Sequence, residues 1–290
     1  MDSLVEYAYA KLNLSLDVIG KRSDGFHDLR MVMQTISLSD RLELSLNRSG
    51  KINVSSNLYY LPCDRRNIAY KAADAFFKLL NTPHLGVNIS MEKSIPVCAG
   101  MGGGSADGAA VLRGLNTMLG KPFSLSQLED LGASLGSDIP FCIAGGTALA
   151  EGKGERLTPL APLADCSIVI CKPRFSVSTP ELFQRLSAAS VKLHPDTQGI
   201  LDSIGKNDIR GVSMRLFNVF EDVLHEGRDD VSAIKHSLLD SGALGALMTG
   251  TGSAVFGIFQ NSLSATEAKA ALLKKYPEVF LAKPKARLDI

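Results

Sequence analysis

The stretch Pro96-Val97-Cys98-Ala99-Gly100-Met101-Gly102-Gly103-Gly104-Ser105-Ala106-Asp107 decides how the rest of the chain is read. Glycine fills positions 100, 102, 103 and 104, and a helix-like run from Ala106 to Leu115 follows at once. Glycine reaches positive φ and leaves no Cβ in the way of a ligand. A helix N-terminus adds unpaired N–H donors and a partial positive charge. Together these features make a phosphate cradle. Ser105 places a hydroxyl where a phosphate, or the Mg²⁺ that travels with it, would sit. On these residues alone a glycine-rich turn with an N-capping serine is the competing reading.

Two familiar phosphate loops are excluded. A P-loop requires Gly-Lys followed by Ser or Thr. The pairs Gly20-Lys21, Gly120-Lys121, Gly152-Lys153 and Gly205-Lys206 are followed by Arg22, Pro122, Gly154 and Asn207. The dinucleotide fingerprint G-x-G-x-x-G, started at Gly100, meets Ser105 where its third glycine belongs.

Upstream of the loop, the pattern predicts strands through the first 60 residues. Val5, Tyr7 and Tyr9 alternate, then Leu12, Leu14 and Leu16 in the opposite phase around Lys11. Residues 29–47 read as two strands around a polar break at Ser39-Asp40, and residues 20–25 as a turn that delivers Phe26 and His27. A helix is expected over 67–80 with Asn67 as its cap, and a strand over 86–92. Downstream, Ser124 to Leu135 predicts a helix, and Asp138 falls in the turn after it.

Beyond Glu151-Gly152-Lys153-Gly154-Glu155 the pattern changes, so a boundary near 155 divides the chain into units 1–155 and 156–290. The second unit reads as a buried strand at 167–171, then a helix opened by Thr179-Pro180. Helices at 197–204, 211–224 and 230–241 come next. Strands at 244–249 and 254–259, a helix at 264–275 and a strand near 279–288 close the chain. The fold class is α+β in two domains.

The chain has 290 residues, 45% hydrophobic and 21% charged, so a large core needs no staples. A net charge of +1 leaves no basic stripe for nucleic acid. Five cysteines without a C-x-x-C argue against paired disulfides or a zinc site and for a reducing, cytoplasmic setting. No signal peptide and no membrane span are expected. A monomer or weak homodimer is the expected state.

Phosphoryl transfer needs charge neutralisation and a positioned nucleophile besides the cradle. Lys11 alone reads as a lysine pointing outward from its strand, and Asp138 alone as a turn residue. Taken together, Ala10-Lys11-Leu12-Asn13-Leu14, the loop of residues 96–107 and Met248-Thr249-Gly250-Thr251-Gly252-Ser253 resemble the GHMP kinase superfamily across the whole chain. Within it, Asp24-Gly25-Phe26-His27, Leu135-Gly136-Ser137-Asp138-Ile139-Pro140 and Ala150 to Glu155 are similar to the branch that acts on the cytidine diphosphate conjugate of 2-C-methyl-D-erythritol. That branch serves the non-mevalonate isoprenoid pathway.

The resemblance implies a ribosomal protein S5 domain 2-like N-terminal domain and a ferredoxin-like C-terminal domain, with the active site in the cleft between them. It implies Asp138 as catalytic base and Lys11 as the cation beside it. Pro96, Gly100, Met101, Gly102, Gly103, Gly104 and Ser105 would bind ATP, with Asn67 and Lys93 lining the adenosine pocket and Ser105 reaching Mg²⁺. Asn13, Phe26, His27, Thr179 and Phe183 would hold the acceptor, with Phe26 and Phe183 sandwiching its pyrimidine. Read without the resemblance, Phe183 is core at helical spacing with Leu186, and Thr179 an ordinary N-cap. Phe26 stands where tyrosine is common, Cys98 where glycine is usual and Ala106 where a second serine is usual. Another kinase of the superfamily, of homoserine or mevalonate type, and a non-catalytic nucleotide-binding regulator are the alternatives.

Overall fold

The computed structural model of the chain describes residues 2–188, 191 and 193–290. Two long strands, β1 (Ser3–Lys21) and β2 (His27–Asn47), form the antiparallel spine of the first unit. β2 is one strand and not the expected two. Asp40, read as a polar break, is fully buried within it and accepts N–H bonds from Ser94 at 2.5 Å and Ile95 at 2.7 Å. A charge met by that many partners does not interrupt a strand.

β3 (Ile52–Ser56) and β4 (Gly86–Glu92) extend the sheet beyond one half of β2, in the order β3-β4-β2-β1. β5 (Thr147–Gly152) pairs with the other half of β2, and β6 (Arg156–Pro159) pairs with β5 just past residue 155. Four helices complete this unit: α1 (Ile68–Leu80), α2 (Gly103–Met118), α3 (Leu125–Leu135) and α4 (Ile139–Ala144).

Local chemistry explains the helix starts. The Asn67 side chain accepts the N–H of Ala69, and Ser124 and Gln127 form a reciprocal capping box. Phe76 of α1 is fully buried and meets Phe123 edge-on at 5.1 Å. Such a ring contributes about 1.5–3 kcal/mol. α2 is buried along nearly its whole length, so the helix that follows the glycine loop is anchored in the core.

The second unit is a four-stranded antiparallel sheet in the order β11-β7-β10-β9, built from β7 (Ser167–Lys172), β9 (Gly245–Met248), β10 (Val255–Phe259) and β11 (Glu278–Ala282). Its helices are α5 (Thr179–Ala188), α6 (Thr197–Gly205), α7 (Ile209–Ser213), α8 (Phe220–Val223), α9 (Arg228–Asp240) and α10 (Ser262–Leu273). The β7–α9–β9–β10–α10–β11 arrangement is the expected ferredoxin-like one. The single helix expected over 211–224 is instead α7, a two-residue strand β8 (Phe217–Asn218) and α8. β8 pairs with β1 of the first unit through its backbone, while the Asn218 side chain bonds the carbonyls of Met248 and Gly250 in the second. Pro284 and Arg287 also bridge back to Ile36 and Gly145 of the first unit. Among the described residues no helix is long and apolar enough to cross a membrane.

Candidate active site

The glycine loop is where the three sequence signatures converge. Gly100 (φ 74°) and Gly102 (φ 69°) both occupy the left-handed region. A Cβ on Gly100 would lie 2.1 Å from the carbonyl oxygen of Thr249, and one on Gly102 would lie 3.1 Å from Cγ of Lys11. Glycine at these two positions lets the third motif and the lysine close on the loop. Gly102 is the N-cap of α2 and supplies no side-chain cap, so the first-turn amides are left for a ligand. Cys98 also sits at positive φ (54°), which explains why glycine is the usual residue there. It is exposed.

Lys11 does not point outward. It is 5% exposed, and its backbone N–H donates to the carbonyl of Met101 at 3.0 Å. Its Nζ donates to Oδ1 of Asn13 at 2.7 Å and lies 3.4 Å from Oδ2 of Asp138. Desolvating an ammonium is expensive, and these two oxygens offset that cost. Asp138 stands at the N-cap position of α4 yet makes no capping hydrogen bond. Its carboxylate faces Lys11 and the cleft. Asn13, expected at the acceptor, lies behind Lys11 with no exposed surface; its backbone N–H donates to the hydroxyl of Thr249 at 3.0 Å.

In front of this pair opens a cleft of about 820 Å³ between the two units. Phe26, His27 and Lys153 line it from the first unit; Thr179, Phe183 and Thr251 line it from the second. Asp24 organises the Phe26 corner by accepting the N–H of Phe26 at 3.1 Å and two bonds from Arg22. Phe183 stacks on His27 at 5.0 Å and meets Phe220 edge-on at 4.9 Å. Phe26, expected to sandwich the acceptor's pyrimidine with Phe183, carries the Lys153 ammonium 4.8 Å above its ring. Burial lowers the His27 imidazole below its ordinary value, and the nearby charge of Lys21 adds to that. The hydroxyls of Thr179 and Thr251 are 2.8 Å apart, joining α5 to the turn after β9.

Behind the loop is a second recess of about 400 Å³, lined by Asn67, Lys93, Pro96 and the glycine loop itself. Cys98, Gly100, Gly102 and Ser105 border both spaces, so the loop is the wall between them. Met101 is buried, and Pro96 lines only the rear recess. Asn67 spends its side chain on the Ala69 N–H at 2.8 Å and the Pro62 carbonyl at 2.7 Å. The Lys93 ammonium is clasped by the carboxylates of Asp40 and Asp107. Burial would lower it, but Asp107 and Asp40 outweigh that and raise it. The same burial pushes the Asp107 carboxyl up to about 7.

Residue types alone did not single out Asp40, Lys153, Asn218 or Thr251. Two of them carried a signal: Thr251 stands inside the third glycine-rich stretch, and Lys153 inside the stretch from Ala150 to Glu155.

Comparison with known proteins identifies the family. The pattern described as "GHMP kinases N terminal domain" matches residues 67–146, and that described as "GHMP kinases C terminal" matches residues 200–278. A protein of Clostridium botulinum (strain Alaska E43 / Type E3) named 4-diphosphocytidyl-2-C-methyl-D-erythritol kinase is 44% identical over 94% of this chain and 97% of its own. A protein of the same name from Clostridium tetani is 43% identical over 95% and 98%. A crystal structure of 4-(cytidine 5'-diphospho)-2C-methyl-D-erythritol kinase superposes with a TM-score of 0.82 at 30% identity, covering 98% of this chain and all of the other. Homoserine kinase from Cytophaga hutchinsonii shares the fold at a TM-score of 0.75 and 19% identity, covering 99% of this chain and 96% of its own. With both halves of the pattern matched and relatives aligned from end to end, the chain belongs to the GHMP kinases, in the family of the 4-diphosphocytidyl-2-C-methyl-D-erythritol kinases.

Proposed function

We propose that this chain transfers the γ-phosphoryl group of ATP to the 2-hydroxyl of 4-(cytidine 5'-diphospho)-2-C-methyl-D-erythritol, in the non-mevalonate isoprenoid pathway. The observation that carries the site assignment is the Lys11–Asp138 pair, 3.4 Å apart at the point where the glycine loop opens into the aromatic cleft. Asp138 accepts the proton of the acceptor hydroxyl as its oxygen attacks the γ-phosphorus. The bond from that phosphorus to the bridging oxygen breaks, and ADP leaves. Lys11 stabilises the negative charge that spreads over the transferring group. The loop amides hold the donor's phosphates, while the rear recess receives its nucleoside. Phe183, His27 and Phe26 hold the acceptor's base.

Among the described residues no cluster of three His, Cys, Asp or Glu is placed to hold a metal. In kinase sites Mg²⁺ is bound largely through substrate phosphates, so the ion would enter with the nucleotide. The Ser105 hydroxyl, on the loop that borders both spaces, is the hard oxygen donor that would hold it. When bound, Mg²⁺ neutralises charge on the β- and γ-phosphate oxygens.

The test is a panel of acceptors with purified protein, ATP and Mg²⁺. Phosphorylation of the cytidine diphosphate conjugate far ahead of mevalonate and homoserine is expected. Preference for either of those two overturns the acceptor assignment.

A further inference from the structure

One short segment outside the assigned residues reaches both halves of the site. β8 lies beside β1, pairing Phe217 with Ser15 and Asn218 with Leu16, and α8 follows directly. Asn218 is 4% exposed. Its Nδ2 donates to the carbonyls of Met248 at 2.7 Å and Gly250 at 2.8 Å, and its Oδ1 accepts the N–H of Phe220 at 3.0 Å. Glu221 accepts the N–H of Met248 at 2.8 Å. A carboxamide is suited to this task because one nitrogen supplies two donors and the oxygen supplies an acceptor.

These bonds hold the turn that carries Thr249 and Thr251. Thr249 meets Asn13, behind Lys11, and its hydroxyl lies 3.5 Å from the carbonyl of Gly100. Thr251 lines the cleft and pairs with Thr179. On the other side of the segment, Phe220 is 1% exposed and presents its ring to Phe183, which rests on His27. The turn therefore stands between donor loop and acceptor cleft, and the residue two places after Asn218 braces the aromatic wall.

We propose that Asn218 is a positioning residue for phosphoryl transfer, holding the Gly250–Thr251 turn between donor and acceptor, and that Phe220 sets the wall on which the acceptor's base rests. The inference rests on the kinase reading given above. A shift of about 1 Å in the alignment of reacting groups can lower a rate about a hundredfold while leaving each ligand bound. A merely structural role would lower the amount of folded protein without separating kcat from KM.

The experiment compares wild type with Asn218→Asp, Asn218→Ser and Phe220→Leu. Steady-state kinetics are joined to separate binding measurements with CDP and a fluorescent ATP analogue, and thermal unfolding reports folding. The aspartate keeps the shape but turns an acceptor toward two carbonyl oxygens; the serine is short but keeps one donor. In the folded Asn218 variants kcat is expected to fall about ten- to a hundredfold, less in the serine variant, with both binding constants within about twofold of wild type. Phe220→Leu is expected to weaken CDP binding about fivefold and to leave binding of the ATP analogue unchanged. Wild-type kcat in a folded Asn218 variant, or a loss confined to KM, overturns the proposal. If neither Asn218 variant folds, the Phe220 variant decides: weaker CDP binding supports the proposal and unchanged binding overturns it. A wild-type protein that neither binds CDP nor phosphorylates the cytidine acceptor overturns the kinase reading, and this inference with it.

Discussion

The ammonium of Lys11 lies 3.4 Å from Oδ2 of Asp138, and the lysine is held there by Asn13 from its own strand. Asp138 stands at the start of α4 without capping it, so its carboxylate remains available to the cleft. Asp138→Asn keeps the shape and removes the base. The expected result is a kcat lower by about 10²–10⁴-fold, with binding of an ATP analogue retained. Equal turnover by variant and wild type would show that the base lies elsewhere.

His27 carries a pH prediction. Burial, helped by the charge of Lys21, lowers its imidazole below the ordinary 6.5. A base with a lowered folded value stays neutral further into acid. Its contribution to stability is therefore complete above the unfolded value and lost as pH falls below it. Cytidine affinity, measured by calorimetry from about pH 8 to pH 5, should be flat down to the ordinary histidine range and weaken only below it. Lys21→Gln should move that onset upward, and His27→Gln should flatten the profile. An onset above the ordinary range in wild type would contradict the assignment.

Lys93 is the cation between two buried carboxylates, those of Asp40 and Asp107. Lys93→Met leaves both without it and should destabilise the protein by about 3–5 kcal/mol in denaturant unfolding. Adding Asp40→Asn and Asp107→Asn to that variant should recover part of the loss, since neutral amides replace the buried carboxyls left without their cation. A Lys93→Met protein as stable as wild type would mean that the cluster is solvated.

Cys98 occupies a left-handed backbone position that favours glycine. Cys98→Gly relieves about 1–2 kcal/mol of local strain against about 0.5–1 kcal/mol of added chain entropy, so the variant should be as stable as wild type or slightly more so. Cys98→Val should be destabilised by at least about 1 kcal/mol, because a β-branched residue tolerates this region least. Denaturant midpoints of the two variants measure the difference, and the reverse order would refute it.

Much of the architecture is legible along the chain because local physics decides it. The Asn67 and Ser124 caps mark helix starts where their side chains bond the first free amides. Alternation marks β1, and the apolar run at 167–171 marks β7. The misread elements are those governed by distant partners. Asp40 sits inside β2 because Ser94, Ile95 and Lys93 satisfy it. The helix expected over 211–224 is broken because β8 pairs with β1 and Asn218 bonds Met248 and Gly250.

The candidate site divides in the same way. By itself the sequence placed a candidate phosphate cradle ahead of a helix, and its resemblance to a kinase superfamily joined a lysine and an aspartate to it. Glycine spacing and a helix N-terminus are local properties, and the resemblance to GHMP kinases rests on such local stretches. Only the tertiary structure decided that Lys11 is turned inward onto Asp138, and that Asn13 serves Lys11. It also decided that Phe183 rests on His27 while Lys153 covers Phe26. Which face of a strand is buried, and which ring meets which, depend on groups brought together from both units. No spacing within one segment encodes such a meeting, since its energy comes from partners far apart in the chain.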